Sequence, residues 1–197
     1  MGQPAEKLSP RATYADLEAV PPPMRAELIE GTLYTFPRPA PKHAGAASNL
    51  GAELITPFSR MRGGPGGWLI LIEPELHFPD ATAPKGINVV APDLAGWRRE
   101  RMPKLPEEAF FTLAPDWICE VLSPSTETYD RETKMPIYAR EGVRHVWIVD
   151  PLARTLELFE LAEGGRWILA DVQQDDARIR AAPFDAIELD LSVLWEE

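Results

Sequence analysis

Residues 117–126 read Trp-Ile-Cys-Glu-Val-Leu-Ser-Pro-Ser-Thr, an apolar run that one acidic residue, Glu120, interrupts. Its first six residues are rich in aromatic and branched side chains, and turn-forming residues follow them, so they predict a buried strand. An ionised carboxylate inside such a strand is costly unless it is paired, hydrogen-bonded or bound to a metal. Glu120 is therefore the first candidate for a functional residue.

A second acidic residue lies in a similar place. Asp93 follows the run Val-Val-Ala-Pro within Ile87–Ala95, which also predicts a buried strand. Mg²⁺ and Mn²⁺ prefer hard oxygen ligands, and one or two carboxylates often suffice when waters and a substrate phosphate fill the other positions. Asp93 and Glu120 together predict such a site. Taken singly, each could instead be a solvated or arginine-paired acid at a strand end.

The segments around these acids predict an α/β (α+β) fold. Before Asp93, we expect a short helix, an early hairpin turning at Gly31, a long helix that Pro57 could bend, and a strand. These are Tyr14–Val20 with Thr13 as its cap, residues 24–36, Lys42–Met61 and Trp68–Phe78. After Glu120, we expect a second helix closed by Gly142, a buried strand and a hairpin around Gly164-Gly165. These are Thr128–Arg140 with Asp130 as its N-cap, His145–Val149, and Thr155–Leu161 with Trp167–Val172.

Length and composition fit a single domain. The 197 residues are 45% hydrophobic and 26% charged, which is ordinary for a globular protein. We expect one domain over 1–197, with a core at about 42–150, an N-terminal hairpin at 24–36 and a C-terminal β extension at 154–190. The one cysteine, Cys119, is expected to be a small buried residue and not a catalytic thiol.

Charge and hydropathy bound the partners. No apolar stretch approaches the ~20 residues needed to span a bilayer, and residues 1–11 lack the apolar stretch of a secretory signal. We therefore expect a cytoplasmic protein with no membrane partner. The net charge of −11 opposes general attraction to phosphate backbones, so any nucleic-acid contact should use a local basic patch. Phosphate-binding loops, dinucleotide-binding turns and serine elbows are absent from the sequence.

The two acids fall in a recognisable pattern. Pro92-Asp93 on one strand and Glu120-Val121-Leu122 on the next resemble the signature of the PD-(D/E)XK nuclease superfamily, with leucine in place of its lysine. More specifically, the chain resembles the Uma-type family of restriction-endonuclease-like proteins over about Tyr14–Leu161. The matching stretches, in order, are Ala26–Gly31, His43, Pro92–Leu94, Cys119–Thr126, Lys134, Tyr138–Val143 and Val146–Pro151.

This resemblance implies a fold and a reaction. The fold would be a restriction-endonuclease-like core, a central mixed β-sheet flanked by helices, with extra N- and C-terminal strands. The reaction would be metal-dependent hydrolysis of DNA phosphodiesters, with Mg²⁺ (or Mn²⁺) held by Asp93 and Glu120. The family's lysine lies in the following helix, and Lys134 matches it. Glu27 matches the first motif and would complete the catalytic set.

Further residues are candidates for weaker roles. His43, in the matching loop, could bind substrate phosphate. The basic run from Arg98 through Arg99 and Arg101 could grasp a nucleic-acid backbone, or could be a solvated loop. Glu75 is a reserve candidate for the metal site.

Two other functions stay open at this point. One is a catalytically inactive module of the same fold that binds nucleic acid or protein, which the net acidity and the displaced lysine favour. The other is a structural homodimer in which the terminal strands, Thr155–Val172, form the interface. A homodimer would also be compatible with a nuclease.

Overall fold

A computed structural model describes residues 11–83 and 86–195. Backbone contacts divide the chain into two compact units, one formed by the chain up to Arg38 with His77–Val90 and the other by Pro39–Leu76 with the chain from Ala91 onward. The expected single domain over 1–197 stays a prediction. The lack of a secretory signal is expected from residues 1–11. Residues 1–10 of this segment lie outside the described residues.

Helical segments are few and short. The four α-helices are α1 (Tyr14–Glu18), α2 (Pro41–Leu54), α3 (Glu127–Tyr129) and α4 (Met135–Arg140). Two π-helical turns, Ile55–Ser59 after α2 and Asp130–Lys134 between α3 and α4, and a 3₁₀ turn at Leu191–Leu194 complete the helical segments of the described chain. No helix within these residues is long and apolar enough to cross a membrane.

Twelve strands fall within the described residues. In chain order they are β1 (Arg25–Ile29), β2 (Thr32–Phe36), β3 (Trp68–Ile72), β4 (Leu76–Pro79), β5 (Ile87–Val90), β6 (Leu94–Arg98), β7 (Trp117–Val121), β8 (His145–Asp150), β9 (Thr155–Ala162), β10 (Arg166–Gln174), β11 (Arg178–Ile179) and β12 (Leu189–Asp190).

The smaller unit contains a four-stranded sheet in the order β2-β1-β5-β4. Helix α1 begins at Thr13, whose side chain forms a capping box with Asp16, so the predicted helix and cap are confirmed. Strands β1 and β2 form the predicted hairpin, which turns through Glu30 and Gly31 at φ values of 50° and 75°. Glycine adopts the second of these without steric cost.

The larger unit contains a six-stranded sheet in the order β10-β9-β8-β7-β6-β3. Strands β7 and β8 are parallel, and the other neighbours are antiparallel. The predicted mixed sheet is therefore confirmed, and the hairpin β9–β10 extends it. Phe184 lies at the centre of an aromatic cluster, with ring centroids 4.7–5.6 Å from those of Phe58, Trp68, Trp117 and Trp147.

Two predicted strands are each broken into two. The segment Trp68–Phe78 divides into β3 and β4, which lie in different sheets, because Glu73 has a φ of 48° and Pro74 has no N–H to donate. The segment Ile87–Ala95 divides into β5 and β6 around Pro92 for the same lack of a donor. Asp93 therefore lies just before β6 and not inside a continuous strand.

The second predicted helix is also different in detail. Asp130 is not its N-cap, since the helical segment begins three residues earlier, at Glu127, with Thr126 as the N-cap. The carboxylate of Asp130 points instead toward Lys134 within the π-helical turn. Pro136 is tolerated because α4 begins only at Met135, so the proline falls in its first turn.

Candidate active site

Asp93 and Glu120 meet where β6 begins and β7 ends, at one end of the strands of the six-stranded sheet. Leu94 of β6 is opposite Cys119 of β7, so the same antiparallel register, carried on by one residue, places Asp93 opposite Glu120. The backbone N–H of Val121 donates to Asp93 Oδ2 at 2.7 Å, which fixes the carboxylate against β7. Both acids are buried, with 6% and 2% of their surface exposed.

Lys134 reaches the two acids from the helical segment that follows β7. Its Nζ lies 2.7 Å from Glu120 Oε1 and 3.4 Å from Asp130 Oδ1. The hydroxyl of Tyr138 donates to the same Glu120 oxygen at 2.5 Å. Asp130, Lys134 and Tyr138 are spaced four residues apart, so they share one side of the helical segment. The lysine predicted from the family match is thus beside the predicted glutamate.

His43 contacts the other acid. It lies in the first turn of α2, and its Nε2 is 3.3 Å from Asp93 Oδ2. Its Nδ1 is buried and has no hydrogen-bond partner among the described residues. The imidazole therefore faces Asp93 with one nitrogen, while the other is open to a partner that the described chain does not supply. Its predicted role in binding substrate phosphate stays a prediction.

The carboxylate oxygens of Asp93 and Glu120 are donor atoms that suit a hard divalent ion. Asp93 and Glu120 both bring carboxylate oxygens to this place, and carboxylate oxygens are the ligands that Mg²⁺ prefers. Within residues 11–83 and 86–195, no three His, Cys, Asp or Glu side chains form a group that could hold a metal. An ion here would rely on two carboxylates, waters and substrate.

Cys119 lies between these acids in sequence. Its side chain is fully buried. Burial raises the pKa of its thiol well above the usual value, and the neighbouring charges of Asp93 and Glu120 raise it further. The expectation that Cys119 is buried is confirmed, and its lack of a catalytic role stays a prediction.

Glu27 and Glu75 are two further predicted site residues. Glu27 is buried in β1 of the smaller unit, and its part in catalysis stays a prediction. Glu75, half-buried, lies between β3 and β4, and its backbone carbonyl accepts the N–H of Phe111. Its reserve role is likewise untested.

The basic residues end strand β6. Arg98 is five residues beyond Asp93, roughly 17 Å along the chain at about 3.4 Å per residue. The Arg99 guanidinium donates to the Ser59 carbonyl at 3.2 Å, and Arg101 pairs with Asp116 at 2.7 Å. The basic run predicted to bind a nucleic-acid backbone therefore lies at the opposite end of the strands from Asp93 and Glu120. Its contact with nucleic acid stays a prediction.

Sequence reasoning missed two members of the cluster. The sequence includes Tyr138 only in a stretch that matches the family, and it predicts Asp130 as a helix cap. Their spacing of four residues on either side of Lys134 was the available signal, because such residues lie together on a helix.

Comparisons with known proteins bear on the fold and the family of this chain. A search of curated proteins gives no match. Among solved structures, the chain is similar to a protein from Anabaena variabilis ATCC 29413 described as "a putative nuclease belonging to DUF820", with 21% identity, coverage of 87% of this chain and 89% of that one, and a TM-score of 0.68. That likeness shows the fold. The model of the Uma2 family, described as "Putative restriction endonuclease", matches residues 11–193, and the chain therefore belongs to the Uma2 family.

Proposed function

We propose that this protein is a metal-dependent endonuclease that hydrolyses DNA phosphodiesters at a site formed by Asp93, Glu120 and Lys134. The observation that carries the proposal is the buried pairing of Lys134 with Glu120 at 2.7 Å, directly beside Asp93. A lysine and two carboxylates from three separate elements meet in a place where burial of charge is costly. Membership in the Uma2 family supports a nuclease-like function.

Each residue has a distinct part in the proposed reaction. Asp93 and Glu120 would hold Mg²⁺ or Mn²⁺, which when bound supplies charge to polarise the phosphate and to acidify water. The N–H of Val121 and the imidazole of His43 orient the Asp93 carboxylate. Lys134 places its ammonium where negative charge develops, and in other active sites removal of one such group costs about 3–4 kcal/mol.

A test needs variants that keep the shape of the site. Asp93→Asn and Glu120→Gln remove the charge without opening a cavity, and Glu163→Gln serves as the control because Glu163 is exposed in the turn between β9 and β10. Binding of Mg²⁺ and Mn²⁺ is measured by calorimetry, and nicking of supercoiled plasmid is measured on the same samples. We expect wild type and the control to bind and cut, and the two site variants to lose both activities.

One observation favours the inactive module. Lys134 and Tyr138 already satisfy Glu120 Oε1 without any metal, so the cluster could persist as a structural ion pair. A folded wild type that neither binds the ions nor nicks plasmid would establish this alternative. Binding of labelled DNA or RNA in the absence of metal would then identify the ligand class of the module.

We further propose a homodimer formed through β10. This strand is the outer strand of the six-stranded sheet as the structure describes it. Its Ile168, Leu169 and Val172 are 56%, 50% and 41% exposed, and an open strand edge with apolar side chains is suited to pairing with a second copy. Light scattering should give twice the monomer mass, and Val172→Lys should shift it to the monomer mass. A monomeric wild type would exclude the dimer.

A further inference from the structure

A polar pocket lies at the end of the strands that is farther from Asp93 and Glu120. It has a volume of about 490 Å³ and lies beside the start of β3, the end of β6 and the starts of β7 and β8. That volume is within the usual range for small-molecule sites. The residues that line it include Trp68, Arg98, Arg101, Asp116, Arg144 and His145.

Positive charge prevails in this pocket, although the chain as a whole carries a net charge of −11. Arg101 is neutralised by Asp116, to which it pairs at 2.7 Å. In the parts of the chain that the structure describes, Arg98 and Arg144 have no carboxylate at ion-pair distance. Glu100, exposed at the wall, offsets only one of these two charges.

The two guanidinium groups act on the same space. Burial lowers the pKa of His145 most; the charge of Glu160 opposes this shift, and the charges of Arg98 and Arg144 both add to it. The Nδ1 atom of His145 is buried and has no hydrogen-bond partner among the described residues. The pocket thus brings together two arginine cations and an imidazole whose Nδ1 lies 4.0 Å from Glu160 Oε1, too far for a hydrogen bond.

The lining selects against apolar or stacked ligands. Trp68 is only 2% exposed, and the Arg98 guanidinium covers its ring at 4.6 Å from the centroid. Gly142 contributes no side chain, and nothing lies within 4 Å of where its Cβ would be. A nucleobase would therefore find no face to stack on, whereas guanidinium forks match the oxygens of a phosphate.

We propose that this pocket binds a phosphate group through Arg98 and Arg144, independently of the site at Asp93 and Glu120. The phosphate can belong to a nucleic-acid strand or be free in solution, since both present the same oxygens. Because the pocket offers no base contact, binding is independent of nucleotide sequence. Arg144 and His145 come from a segment outside the basic run at the end of β6.

The test uses the full chain with Asp93→Asn, so that cleavage cannot remove the probe. Calorimetry measures binding of inorganic phosphate, and fluorescence anisotropy measures binding of a labelled oligonucleotide with and without a 5′-phosphate, all without divalent metal. The variant is Arg144→Glu, which changes an exposed side chain and leaves Trp68 covered. The control is Arg38→Glu, an equal charge change at an exposed arginine that does not line the pocket.

We expect Arg144→Glu to weaken binding of the phosphate-bearing probe at least tenfold and Arg38→Glu to weaken it less than twofold. Tighter binding of the oligonucleotide than of inorganic phosphate would assign the ligand to a strand, and the reverse order would assign it to free phosphate. Failure of the Asp93→Asn chain to bind any probe, or equal losses in the two arginine variants, would overturn the proposal. Loss of cleavage alone would bear only on the nuclease site.

Discussion

Replacement of Lys134 by methionine should lower the free energy of unfolding by about 3–5 kcal/mol. The side chains of Lys134 and Glu120 are 4% and 2% exposed, and their charged atoms are 2.7 Å apart. Methionine keeps much of the length of the lysine stem but leaves the Glu120 carboxylate buried without its cation. The Tyr138 hydroxyl still donates to that carboxylate, yet it carries no charge to compensate it.

The partner substitution completes a double-mutant cycle. Glu120→Gln leaves the Lys134 ammonium with Asp130, whose Oδ1 is 3.4 Å away, so its cost should be smaller than that of Lys134→Met. The double variant carries neither buried charge of the pair. It should therefore be more stable than the sum of the two single losses predicts, with a coupling of about 0.5–3 kcal/mol.

Urea unfolding followed by tryptophan fluorescence measures these changes. An unchanged slope against urea would show that the variants unfold from comparable folded states. For a chain of this size, a loss of 3–5 kcal/mol corresponds to a fall in Tm of roughly 6–20 °C. Lys104→Met is the control, because Lys104 is exposed and should change stability by less than about 0.5 kcal/mol. A cost below about 1 kcal/mol for Lys134→Met, as for a surface pair, would refute burial of this ion pair.

Three further outcomes follow from the same structure. Because burial raises the pKa of Cys119, its thiol should resist alkylation in the folded protein at pH 8 and react at once in urea, as mass spectrometry can show. Burial lowers the pKa of His145 below its usual 6.5, so its contribution to stability is complete above pH 6.5 and is lost as pH falls through the folded pKa; His145→Gln should flatten that decline in urea midpoints. Arg131 forms two hydrogen bonds to Glu157 at 2.7 and 2.8 Å, and Arg131→Lys, which cannot form both, should cost about 1–2 kcal/mol in thermal unfolding.

Local patterns were sufficient to predict most elements, because strands such as β7 and β8 are short, largely apolar runs bounded by turn residues. They failed at the breaks between β3 and β4 and between β5 and β6. The first break depends on a left-handed backbone at Glu73, a conformation that residue type does not predict for a glutamate. The apolar run on either side is continuous enough to resemble one strand, although its two halves belong to different sheets.

The candidate site was only partly predictable, for a different reason. The buried acids were visible because a carboxylate in an apolar run is costly wherever the chain folds. The contact of His43 with Asp93 joins residues 50 positions apart and depends on how α2 packs, which no local pattern encodes. The polar pocket was not predicted for the same reason, since only the pairing of strands in the sheet brings Arg144 and His145 close to Arg98.

The displaced lysine shows what the site requires physically. Leu122 occupies the position two residues after Glu120, is 3% exposed, and donates its N–H to the Val149 carbonyl at 2.7 Å. A lysine there would have to leave an apolar environment to reach solvent or substrate. The helical segment instead presents Lys134 with Tyr138 four residues later, and both meet Glu120. Under the proposed function, the site requires a cation beside the glutamate and not a particular backbone position, so a search limited to the second residue after the glutamate would overlook sites built in this way.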